Sequence, residues 1–380
     1  MPPINPLFEM NHSIQRKCGV VKLAVMAGAF CLSTVAGRAE ERSASVNVMR
    51  IPGATNVMKA ATGADGTIHV LFDAEDGPQY VRSRDGGATF SAPVAVLDAA
   101  SRKPGLKFTT SDLAVGPDGR VHVVTTNNAW KLKLPQDEWG FYYSTLAPGA
   151  QAFSPMRNLN HKPSEGFSLA AGRGGSVTAL FLAGKVFAMD SRDAGRTFTA
   201  SAEIDASLDP CNCCTTSAAY GPDGRLAIFY REKSNDERDM YVALWDQGGK
   251  DKPVRMRVSG TPWKLSGCPM TYYTIQPTST GYVAAWPTRG QVYFARLDQN
   301  GAVVAPGEIK TAGTSGMRTN LLAVSGKDGA TLVAWKNDEK LGWQLYDPQG
   351  HPQGERGSVS SVGNGAAGAA LLDGRFVLFP

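Results

Sequence analysis

Apolar residues along this chain come in short runs broken by glycine-containing turns, and no long stretch carries helical periodicity. Seven segments share one design: "ATGADGTIHVLF", "AVGPDGRVHVVT", "AAGRGGSVTALF", "AYGPDGRLAIFY", "PTSTGYVAAW", "VSGKDGATLVAW" and "LLDGRFVLF". Each reads as a strand, a tight turn and a second strand rich in Val, Ile, Leu and aromatics. The residue before the turn glycine falls at positions 65, 118, 174, 223, 280, 328 and 373, so the spacings are 53, 56, 49, 57, 48 and 45. A period near fifty filled with short strands predicts an all-β chain, a β-propeller of four-stranded antiparallel blades. Six units are complete and the last is only a strand pair, which "SASVNVMRIPG" near the N-terminus can complete. Closing the seventh blade with both chain ends removes exposed strand edges. Six blades with an extra hairpin is the alternative.

A second element follows several hairpins. "SRDGGATF" (83–90) and "SRDAGRTF" (191–198) have the form Ser-x-Asp-x-Gly-x-Thr-Phe, with weaker cousins in "LWDQGGK", "RLDQNGA" and "LYDPQGH". Asp serves local backbone donors, Gly tolerates positive φ, and the aromatic tucks back between strands. These motifs resemble the Asp-box, or BNR repeat, of the sialidase-like propellers, over roughly residues 54–350. In that family the box sits on the turn between a blade's third and fourth strands, away from the ligand. The resemblance therefore makes Asp85 and Asp193 structural.

The N-terminus changes the charge and cysteine count. Arg16, Lys17 and Lys22 precede or flank the apolar "LAVMAGAFCLSTVAG", and "AGRAEE" offers a cleavage point after Ala39. Residues 1–39 read as a signal peptide, too short for a membrane span, and 40–380 as one propeller domain. Localisation is expected to be periplasmic or secreted, from a bacterium. The segment carries Arg16, Lys17, Lys22 and Arg38 against Glu9, so the formal +5 falls to +2. That balance offers no basic surface for nucleic acid. Four cysteines remain for an oxidising compartment.

The start of each first strand should open on the mouth of the ring, where binding loops gather. Counting back from the turns puts these starts at Asn56, Thr109, Glu165, Cys214, Thr271, Thr319 and Asn364, within two residues. Cys211, Cys213 and Cys214 of "DPCNCCTT" then approach Cys268 of the next blade. Met270, Met317 and His161 are candidate extra donors, and Glu165, Tyr272 and Arg318 candidate rim residues. One reading is structural disulfides, with a bridge to Cys268 stapling two blades. Adjacent Cys213 and Cys214 pair badly, and Cys211 with Cys213 would close a strained ring. One bridge is therefore strained or two thiols stay free. Free thiols beside thioethers suit a soft ion, copper(I) first. Zinc stands behind it, because its usual doubled Cys-x-x-Cys spacing is absent. A redox-active dithiol stands last.

The resemblance implies an exo-sialidase as the alternative, yet its parts do not assemble. Arg50 of "MRIPG" lies too far before the first turn, a second arginine is missing at "LFDAEDG", and "MRTNLL" lacks the nucleophilic tyrosine. Asp73 and Asp112 are read as surface or turn acids rather than the carboxylate pair a glycosidase needs. His69 and His122 are assigned to packing, as are Trp286 and Trp335, while Trp130, Trp139 and Trp263 are candidates for the loop face. Arg238 and Asp239 are expected to form a local pair. The expectation is a monomeric metal-handling propeller without a recognisable sialidase-type catalytic set, with copper ion as cofactor and an envelope metal donor or acceptor as partner. A carbohydrate-binding propeller stapled by disulfides is the alternative.

Overall fold

Seven sheets follow one another along the chain in the computed structural model, which describes residues 45–247 and 251–380. The expected signal peptide lies outside the described residues. Blade 1 runs Asn56–Thr62, Ile68–Ala74, Gly77–Ser83 and Val94–Ala95. The next five repeat this four-stranded antiparallel meander, so the seven-bladed reading holds over the six-bladed one. Blade 7 joins Ala367–Ala370 and Phe376–Phe379 to the N-terminal Val46–Val48. One detail differs from the expected pattern. Val46 pairs with Phe376 in parallel, and this blade has three strands among the described residues. The N-terminal segment arrives alongside the last strand in the same direction, because it must then cross to blade 1.

The radial order follows from side-chain size. First strands surround one axial cavity of about 300 Å³ and are rich in alanine there: Ala60, Ala61, Ala114, Ala170, Ala171, Ala218, Ala219, Ala369 and Ala370. Small residues let seven strands converge. Second strands are sandwiched between neighbouring blades, so Ile68–Phe72, Leu226–Arg231 and Gly281–Thr288 are buried throughout. A strand covered on both faces reads as a continuous apolar run rather than an alternation.

Polar latches join the blades near the mouth. Asp73 accepts hydrogen bonds from the Thr110 N–H at 2.8 Å and hydroxyl at 3.0 Å, tying blade 1 to blade 2. Asp112 accepts from the Leu169 N–H at 2.9 Å and pairs with Lys59 at 3.0 Å, tying blade 2 to blade 3. Ser217 Oγ accepts from the Ile275 N–H at 3.1 Å, tying blade 4 to blade 5. Asp73 and Asp112 are thus inter-blade struts rather than the surface or turn acids expected, because a buried carboxylate persists where donors meet it. Bulges between Val57 and Lys59, Thr110 and Asp112, and Glu165 and Ser168 recur in the first strands of blades 1 to 3. Such bulges re-aim side chains, here at the mouth.

Both Asp-boxes lie between third and fourth strands. Asp85 accepts from Ser83 at 2.7 Å and from the Thr89 hydroxyl and N–H at 2.6 and 2.9 Å, which hold its carboxyl near 2. Asp193 repeats the pattern with Thr197 and Ser191 and is likewise lowered. The box aromatics pack on the preceding blade rather than between strands of their own. Phe198 meets Tyr143 edge-on at 5.0 Å, and Phe90 meets Phe379 at 6.0 Å.

Candidate functional site

The loop into blade 4 begins where Pro210 bridges Glu232, at the end of that blade's second strand. The Cys211 N–H donates to the Arg231 carbonyl at 2.8 Å, and the Cys214 N–H returns to the Cys211 carbonyl at 3.0 Å. This turn buries Cys211 and Cys214 and leaves Cys213 half-buried at the mouth. Cys213 forms a disulfide with Cys268, in the loop into blade 5, so the expected staple between adjacent blades is present. Cys211 and Cys214 are free thiols, one of the two outcomes that the shortage of bridge partners left open.

The sulfurs are layered rather than spread along an open rim. Cys213 and Cys268 are half-buried, whereas Cys211 and Cys214 sit in the apolar core between blades 4 and 5 with Phe229, Tyr273 and Trp286. Cys211 Sγ lies 3.4 Å from Cys268 Sγ and 3.2 Å from Cys214 Sγ, close enough to share a proton with the latter. Cys211, Cys214 and Cys268 sulfurs all lie within 4.8 Å of one another. The free pair is spaced Cys-x-x-Cys. In the sequence Cys213 interrupts this spacing, which masks the motif.

A buried cation faces this cluster. Arg231 is fully buried, its guanidinium donating to the carbonyls of Arg238 and, at 2.6 Å, Pro287, with Trp263 and Tyr273 rings 5.0 and 5.8 Å away. Its Nε has no partner, and among the described residues no carboxylate pairs with it. The Cys214 thiol is pulled well below its ordinary value by the hydrogen bond with Cys211, then by Arg231 and Thr271. Cys211 is pushed up by the same hydrogen bond and by burial. One thiolate against one guanidinium is what an unpaired buried charge requires. The sequence signal for this cation is its position at the end of the otherwise uncharged strand Leu226–Arg231.

Neighbouring residues hold the Cys268 loop. Arg238 Nε donates to the Gly267 carbonyl at 2.9 Å, and the Met270 N–H points at Cys268 Sγ at 3.4 Å. Arg238 does not form the expected pair with Asp239: it lies 3.8 Å from Asp236, while Asp239 pairs with Arg257. Trp263 is buried over Arg231 rather than on the loop face.

Outside the sulfurs lies the channel mouth, a cavity of about 710 Å³ lined by Asn56, Thr109, Glu165, Cys214 and Asn364. In the other two blades the lining residues are Tyr272 and Arg318, each one residue from the expected start. A trough of about 840 Å³ continues outward past Cys213, Glu165 and Arg318 to Trp130 and Trp139. Of the expected extra donors, half-buried Met270 lies beside the cluster. Met317 is 72% exposed, and His161 is exposed with Nδ1 3.3 Å from the Asp137 carbonyl oxygen. His161 is outside the group of close ligand atoms. His69 and His122 contact Tyr80 and Tyr143 hydroxyls inside blades, as packing residues should. Arg50 donates to the Ser360 carbonyl at 2.7 Å beside the N-terminal strand.

No family model matches this chain, and no curated protein does. Among solved structures it is similar to a streptogramin B lyase, at 11% identity over 86% of this chain and 91% of that one, with a TM-score of 0.51. It is also similar to AofleA from Arthrobotrys oligospora, at 12% identity over 83% and 92%, with a TM-score of 0.50. A protein of unknown function from Desulfotomaculum acetoxidans matches at 13% identity over 85% and 89%, with a TM-score of 0.52. At such identities the likeness establishes the β-propeller fold, and the chemistry has to come from the site.

Proposed function

We propose that this chain is an exported propeller of the Asp-box, sialidase-like kind that binds copper(I) between Cys211 and Cys214 and exchanges it with a donor or acceptor protein in the envelope. The carrying observation is a buried thiol pair, 3.2 Å apart, facing an arginine with no carboxylate partner. Two thiolates around a monovalent ion leave one net negative charge, which Arg231 balances. A divalent zinc ion would leave Arg231 uncompensated and seeks four ligands, two of which the Cys213–Cys268 bridge withholds. Thiolate donors select copper(I) over harder ions. Opening the bridge would add Cys268 as a third sulfur, a natural route for handing the ion on.

The test is anaerobic loading with copper(I), followed by removal of free metal and elemental mass spectrometry. Wild-type protein should retain stoichiometric copper, and the Cys211→Ser/Cys214→Ser double variant should retain none. Equal copper content in both proteins ends this reading.

A second reading has its own observation. Trp130 is 58% exposed and shares the outer trough with Trp139, Asn127 and Asn212. An aromatic platform beside amide groups suits a sugar ring, and the trough is large enough for one. Glycan binding that Trp130→Ala abolishes, with copper content unchanged, would support a carbohydrate-binding role.

A further inference from the structure

The sulfur cluster holds four atoms of two kinds in one place: a half-exposed bridge outside and a buried dithiol inside. Cys211 Sγ stands 3.4 Å from Cys268 Sγ, the separation of a near-attack pair. Cys211 and Cys214 are 3% and 2% exposed, Cys214 at the floor of the channel mouth, while half-buried Cys213 lines both that mouth and the tryptophan trough. The reducing equivalents are therefore stored in the buried layer, and the more accessible sulfurs are oxidised.

We propose that the mouth is a thiol–disulfide exchange site, in which Cys211 displaces Cys213 from Cys268 and so presents Cys213 as the thiol that meets an external disulfide. In the first step the Cys211 proton passes to Cys214 and the Cys211 sulfur forms a bond to Cys268. The Cys213–Cys268 bond breaks, and Cys213 leaves with the electron pair and takes up a proton. In the second step Cys214 gives up the proton it received and attacks Cys211, the Cys211–Cys268 bond breaks, and Cys268 leaves with the electron pair and takes up that proton, its sulfur met by the Met270 N–H at 3.4 Å. The bridge has moved to the buried Cys-x-x-Cys and the dithiol to the surface, with no outside oxidant or reductant. Cys213 then attacks an external disulfide, releasing one thiol, and Cys268 resolves the mixed disulfide, releasing the other. The protein ends with two bridges, and the substrate ends as two thiols. The exchange needs no metal and goes beyond the copper reading. It uses the same thiols, so bound copper and exchange are alternative states.

The test uses chelated, metal-free full-length protein and glutathione disulfide, with acid quenching and fragmentation mass spectrometry to place each adduct. In Cys214→Ser the second step is blocked and hydroxide must take the Cys211 proton in place of Cys214, so at about pH 9 glutathione should accumulate on Cys213 with a Cys211–Cys268 bridge. Wild-type protein quenched early should carry glutathione first on Cys213, and at completion should have lost both free thiols. This second measurement decides the matter if the variant does not fold. Glutathione found only on Cys211 or Cys214, or no adduct with Cys213–Cys268 intact, overturns the proposal. Copper content is measured separately, so failure of one reading leaves the other standing.

Discussion

His69 and His122 show how one side chain can set a pH limit on the fold. They occupy equivalent second-strand positions, each with Nδ1 against a tyrosine hydroxyl at 2.7 and 2.6 Å. Burial pulls both from 6.5 to about 4, so they stay neutral in the folded protein. As pH falls below 6.5 the unfolded chain takes up these protons first. Stability is therefore intact above that value and drains away until the folded value near 4 is reached, by about 3 kcal/mol per histidine. Urea unfolding between about pH 7 and about pH 4 should show this loss, and His122→Gln should remove about half of the slope. A slope unchanged by His122→Gln would place the acid sensitivity elsewhere. Asp85 and Asp193 act at lower pH, since their Asp-box donors keep them ionised well below the ordinary carboxylate range.

At the scale of elements, the bridge among the described residues joins loops that have no regular structure of their own. Cys213 and Cys268 are 55 residues apart, and closing a loop of that length restricts the unfolded chain by about 4 kcal/mol in a chain-entropy account. Cys268→Ser should lower the thermal midpoint and expose the loops into blades 4 and 5 to proteolysis before the blades themselves unfold. Limited proteolysis with cuts scattered equally over all blades would contradict a local staple. The same bridge holds Cys268 beside Cys211, so the variant should also lose any exchange.

At the scale of the molecule, closure depends on Val46–Val48. This strand covers Phe376–Phe379, four residues that are fully buried. Removing the chain through Val48 should leave an apolar strand with unpaired backbone groups, a template for association. Light scattering should then report larger species, and the thermal midpoint should fall. A monodisperse truncated protein with an unchanged midpoint would mean that the ring closes without its N-terminal strand. No helix among the described residues is long and apolar enough to cross a membrane.

The repeat, the blade count and the starts of the first strands were legible in the amino-acid order, because each blade is a local meander whose turns and apolar runs recur at a near-constant spacing. That regularity also places Asn56, Thr109, Glu165, Cys214 and Asn364 at the mouth, where the folded chain has them. The same counting brings Cys268 beside the cysteines of the preceding blade but leaves open whether they bridge or bind metal; the structure bridges Cys213 to Cys268. What depends on distance between blades was not legible. Asp73 and Asp112 became struts, Trp263 a lid over Arg231, and Cys211 with Cys214 a buried pair. Each of those outcomes is decided by which groups the closed ring brings within a few ångströms, and pairwise burial and charge compensation across a ring carry no periodic signature along the chain.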